Sequence, residues 1–161
     1  MALRNSALGD PPLPNGVEVL GRLVWLHRGV RLEATAIDAL SAFVGRGLPK
    51  VVVLVEIGTD TPPPGPELRR LISERLLDSD SVSSIGWVHE GDSLRARLVR
   101  KTLGGFIGAW RRWGGGGARG APELAVHERV SEALARAVEL FEASGDHESV
   151  ELIRAHDAWP G

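Results

Sequence analysis

Between residues 50 and 57 the chain reads Lys-Val-Val-Val-Leu-Val-Glu-Ile, apolar at nearly every position and without alternation. A strand with one wet face alternates apolar and polar side chains, so an unbroken apolar run marks a strand covered on both faces. The segment predicts the central strand of an α/β sheet. Upstream, Val17 to Leu20 and Arg22 to His27 are rich in β-branched and aromatic residues, with Gly21 between them. They predict a strand pair or one bent strand, followed by a turn at Arg28-Gly29. Ser83 to His89 predicts a further buried strand.

Helical spacing fills the intervals. Ile37, Leu40 and Val44 recur at helical period within Thr35 to Arg46. Thr35 and Asp38 are placed as a capping box, and Gly45, Gly47 and Pro49 form the stop. The stretch Gly-Thr-Asp-Thr-Pro-Pro-Pro-Gly-Pro excludes regular structure, and Pro66 then opens a helix whose stripe is Leu68, Leu71, Ile72 and Leu76. A long helix is predicted from Ser93 to Trp113, ended by Gly114 to Gly117. Leu124 to Val126 fits a short strand or a first helical turn. Val130, Leu134, Val138 and Phe141 mark a helix to Gly145. Asp146 caps a last short helix that turns Val150 and Ile153 inward. Alternating strands and helices imply an α/β domain with a mostly parallel central sheet of four or five strands and right-handed crossovers. The expected organisation is an N-terminal arm at 1–16, the domain at 17–144 and a helical extension at 145–161.

With 161 residues, 43% hydrophobic and 25% charged, the chain fits one globular domain. It has no cysteine, which excludes disulfides, thiol catalysis and Cys-based zinc sites. No apolar run approaches the ~20 residues of a membrane span, and the first residues lack a signal-peptide core, so the expected location is cytoplasmic. The net charge of -2 conceals an asymmetry. Leu94 to Trp113 carries six cations and no acid, whereas Ala121 to the end carries nine acids against three arginines. Either the two halves attract each other, or the basic segment has an electrostatic task of its own. The acidic half argues against nucleic acid as a partner.

On a helical wheel, Val99, Leu103, Phe106, Ile107, Trp110 and Trp113 share one arc. Arg97, Arg100, Lys101, Arg111 and Arg112 share another. A basic amphipathic helix of this kind either packs its apolar face on the sheet or offers it to a partner or membrane interface. Gly104, Gly105 and Gly108 each cost up to ~1 kcal/mol in a helix interior. They permit close backbone packing or mark a hinge at the Trp110–Trp113 end. Ser93 and Arg97 form a candidate anion site at the helix start, with ordinary N-capping as the alternative.

The remaining chemistry is thin. His27, His89 and His127 fall near predicted strand ends, where ligands of open sheets gather, with Glu56 and Glu90 nearby. No histidine pair has a ligand spacing such as HxxxH, so these read as unconnected loop residues. The glycine run at 114–117 follows a helix and lacks the Lys-Ser/Thr ending of a phosphate loop. No nucleophile elbow or dinucleotide fingerprint occurs. No metal, cofactor or catalytic residue is expected, and an activity at the sheet edge is the minor alternative.

Four stretches resemble STAS-like domains, within them the bacterial SpoIIAA-like set of STAS/SEC14 type. They are LVWLHRGVRLEATAIDAL, KVVVLVEIG, the block from Ser93 through Arg97 to Gly105, and ELAVHERVSEALARAV. The likeness covers about Val17 to Phe141 and implies a STAS-like fold, with Glu123 to His127 as a strand. Departures are specific. The family's serine phosphoacceptor loop corresponds here to Gly58 through Gly65, which has no serine and leaves Thr59 or Thr61 as weak phosphoacceptor candidates. Arg136 stands near the family's usual closing tryptophan. The expectation is a non-enzymatic regulatory or scaffolding domain that recognises a protein partner through the 93–113 helix. Its candidate contacts are Arg97, Arg100, Lys101, Phe106, Trp110, Arg111, Arg112 and Trp113. Lipid or small apolar ligand binding, with this helix as lid or membrane contact, is the alternative, and homodimer formation stays open.

Overall fold

The computed structural model describes residues 13–31, 33–45, 50–58, 65–77, 80–113 and 122–161. Strands β1 (Val17–Leu20) and β2 (Leu23–Leu26) form an antiparallel pair. Gly21 turns between them at φ +60, where a Cβ would lie 2.3 Å from Ser149 Oγ. Three parallel strands follow, β3 (Val51–Glu56), β4 (Val82–Val88) and β5 (Glu123–His127), giving the sheet order β1-β2-β3-β4-β5. The expected α/β class and largely parallel sheet are present, with the β1–β2 pair as its antiparallel edge. Glu123 to His127 is a strand.

Each parallel connection steps to the next strand in the same direction, so crossovers of one hand must place their helices on one face. Helices α1 (Ala34–Val44), α2 (Pro66–Ile72) and α3 (Leu94–Trp113) do so. Ile37, Leu40, Ile72, Leu103 and Ile107 pack there with Val24, Val53, Ile85 and Leu124. A π-helical turn at Ser73–Leu77 prolongs α2 and buries Leu76 and Leu77. After β5 the chain crosses to the opposite face. Helices α4 (Val130–Ser144) and α5 (His147–Arg154) lay Leu134, Phe141 and Ile153 on Leu23, Trp25, Val52 and Leu54. Each such side chain contributes roughly 1.5–3 kcal/mol through burial. The unalternating apolar run of β3 is thus explained: its odd and even residues serve separate cores.

One detail differs from expectation. Helix α1 starts at Ala34 with Glu33 as N-cap and no side-chain cap, so Thr35 and Asp38 form no capping box. Thr35 lies inside the first turn, and Asp38 is exposed with its carboxylate 3.9 Å from Arg75. The C-terminal extension is part of the second core. Asp146 caps α5 by accepting from the Ser149 amide at 3.1 Å, and Val150 and Ile153 are buried.

Candidate functional site

Helix α3 has Ser93 at its start, where the hydroxyl accepts from the Ala96 amide at 3.1 Å. This is N-capping, so the Ser93 oxygen proposed for an anion is engaged by the helix itself, and the Arg97 side chain is exposed. The apolar arc packs on the sheet: Val99, Leu103, Ile107 and Trp110 are buried, and Phe106 meets Trp87 edge-on at 6.4 Å. Phe106, half-buried, and Trp110, buried, thus face the sheet. The sheet's apolar face is the nearest surface that removes them from water. Trp113 ends the helix, and its side chain lies outside the described residues, as do Thr59 and Thr61.

The cations divide by reach. Arg100 donates to the carbonyls of His89 at 2.7 Å and Gly91 at 2.8 Å, tying α3 to the end of β4. Arg111 donates to the Leu124 carbonyl at 2.8 Å and ties the other end to β5. Arg97 and Lys101 point to solvent and make no ion pair among the described residues, and Arg112 is exposed. The outward face also holds Leu94, 74% exposed, and Leu98, 55% exposed, one turn apart. A Cβ added at Gly104, Gly105 or Gly108 would meet nothing within 4 Å, so these glycines are not there for packing inside the fold.

A second group lies at the carboxyl edge of the sheet. Register sets Glu18 of β1 opposite Trp25 of β2, and His27 and Glu56 follow two residues further along the same face. The Trp25 indole N–H donates to Glu56 Oε2 at 2.9 Å, and His27 Nδ1 lies 3.0 Å from the same oxygen. His27 Nε2 is 2.8 Å from Glu18, which His156 approaches at 3.2 Å from beyond α5. Trp25 stacks on His27 at 4.2 Å. Burial pushes the Glu18 carboxyl up, but hydrogen bonds from His27 and His156 outweigh it and hold the group below its ordinary 4.5. The histidines are thus not all unconnected. Glu18 and His156 were missed because only strand register and the return of the tail bring them to His27.

Elsewhere the edge offers less. His89 is buried, with Nδ1 3.1 Å from the Ile57 carbonyl, and burial lowers His127 below its ordinary 6.5. Among the described residues no group of three or more His, Cys, Asp or Glu could hold a metal ion. The loops after β4 and β5 part to opposite faces and leave a cleft of about 460 Å³ lined by Glu90, Asp92, Glu128 and Arg129. The Val130 amide there already donates to Glu90 at 3.2 Å, so the start of α4 is answered by an internal carboxylate. The enclosed space beneath α1 and α2 measures about 10 Å³, too small for a lipid chain, and an open groove of about 520 Å³ lies outside it between Glu33, Ala34, Pro66, Leu68 and Leu71. Among the described residues no helix is long and apolar enough to cross a membrane. Comparison with protein-family models, curated proteins and solved structures finds no match.

Proposed function

We propose that this chain is a non-enzymatic, STAS-like recognition domain that binds a protein partner through the outer face of α3. One observation carries the reading. Of the large apolar side chains exposed among the described residues, two of three, Leu94 and Leu98, stand one turn apart on this helix. Around them Arg97 and Lys101 make no ion pair among the described residues, and the helix contains no acid to neutralise them. Apolar anchors rimmed by one sign of charge suit a complementary acidic surface that carries its own apolar side chain. The glycines support this reading. Each costs the helix stability, packs against nothing within the fold, and leaves backbone that a partner can approach closely. The contact residues are accordingly Leu94, Arg97, Leu98 and Lys101 rather than the buried aromatic arc.

A photo-crosslinking side chain placed at position 98 in living cells tests the reading. The expected result is a discrete protein adduct, absent when the same group is placed at exposed Asp38 and lost in the Lys101→Glu background. Equal labelling at both positions, or none at 98, overturns it.

A further inference from the structure

The sheet separates most of the basic helix from the acidic helices of the C-terminal half; Arg111 reaches across, donating to the Leu124 carbonyl and favouring the charged form of Glu123. Helix α3 belongs to the core on one face and α4 and α5 to the core on the other. The internal ion pairs sharpen the contrast. On the acidic side Arg136 holds Glu123 and Glu139, Arg154 holds Glu142, and Arg22 approaches Asp146. Glu148 and Glu151, one turn apart on α5, are exposed and make no ion pair among the described residues. Beside them Leu152 is the third exposed large apolar side chain, at 41%. Both outer surfaces therefore have the same design in opposite sign: Arg97 and Lys101 about Leu94 and Leu98, Glu148 and Glu151 about Leu152.

We infer that the partner met by α3 is a second copy of this chain, seated head-to-tail, the outer face of α3 in one copy lying on α5 of the next. The inference rests on the reading of α3 as a contact surface and names its occupant. A two-fold pairing of α3 with α3 would oppose cations to cations, and α5 with α5 acids to acids. Only the heterologous arrangement joins unlike charges and covers leucine with leucine. Because each copy keeps one surface open, the assembly extends past a dimer, as an open chain or as a ring where the rotation closes. The attraction is between exposed charges and is screened by salt.

Sedimentation velocity of the purified full chain, with Leu98→Asp and Leu152→Asp, tests the inference. Both positions are exposed, so neither substitution disturbs the core. In low salt the wild type should sediment as species larger than dimer that grow with concentration and disperse in high salt. Each variant alone should be monomeric. Their equimolar mixture should stop at twice the monomer mass, because each supplies the surface the other lacks. A wild type that stays monomeric in low salt, or a single variant that still dimerises, overturns the inference. If the wild type is monomeric while position 98 crosslinks a different protein in cells, the recognition reading survives and self-assembly alone fails. Absence of both results removes both.

Discussion

The indole N–H of Trp25 donates to a carboxylate oxygen of Glu56 at 2.9 Å, across neighbouring parallel strands. Trp25 is 2% exposed, so its N–H has no access to bulk water. Glu56→Leu should strand that donor and cost about 1–3 kcal/mol in urea unfolding. Glu56→Gln, which keeps an acceptor, should recover most of the loss. If the two substitutions destabilise equally, the hydrogen bond is not what Glu56 contributes.

Three groups with lowered pKa contribute to the acid limb of stability: His127, Glu18 and Glu123, the last held down by hydrogen bonds from Arg136. His127 has its pKa lowered by burial, so the folded state binds fewer protons than the unfolded one. Its contribution is complete above about 6.5 and is lost as pH falls from there through the folded value. Glu18, also lowered, contributes above its ordinary 4.5 and is lost as pH falls further. Stability should therefore decline in two stages on acidification. His127→Gln should abolish the upper stage, and Glu18→Gln should reduce the lower one, which Glu123 also supports, by an amount on the order of 0.5–1 kcal/mol, since Glu18 is partly solvated. Urea midpoints across the acid range will decide, and an unchanged profile in both variants counts against the assignment.

Trp110→Ala should lose about 3–5 kcal/mol by opening a cavity under α3, visible as a fall in urea midpoint. Leu98→Ser, on the same helix but facing outward, should change stability by less than about 0.5 kcal/mol. Comparable effects from the two would mean that the helix is rotated from the orientation described here.

Gly104→Ala and Gly105→Ala should each raise stability by about 0.5–1 kcal/mol, because a methyl group meets nothing and the unfolded chain loses freedom. The same substitutions should weaken crosslinking from position 98. A gain in stability with full crosslinking would show that the bare backbone serves no contact, and a loss of stability would mean that these positions are packed after all.

Much of the fold was legible because local spacing and chain order are properties of the sequence. The apolar run at Val51 to Glu56, the period of Val130, Leu134, Val138 and Phe141, and the Asp146 cap all read correctly. The apparent capping box of Thr35 and Asp38 did not, because Thr35 fell inside the first turn when the helix began at Ala34. The candidate site was less legible. The wheel separated the aromatic arc of α3 from its cations, yet nothing local says which arc the sheet will cover. Leu94 and Leu98 lie at the edge of the cation arc, where local pattern gives no reason to single them out.

The sequence alone determined an α/β chain with a doubly covered central strand, a basic helix and an acidic C-terminal half. Tertiary structure decided that Trp110 faces inward and Leu98 outward, that Glu18, His27, Glu56 and His156 meet, and that opposite charges lie on opposite faces. The reason is that periodicity records which residues share a side of one element. Strand register, crossover hand and the return of the tail decide which sides meet, and those are settled by packing over the whole chain.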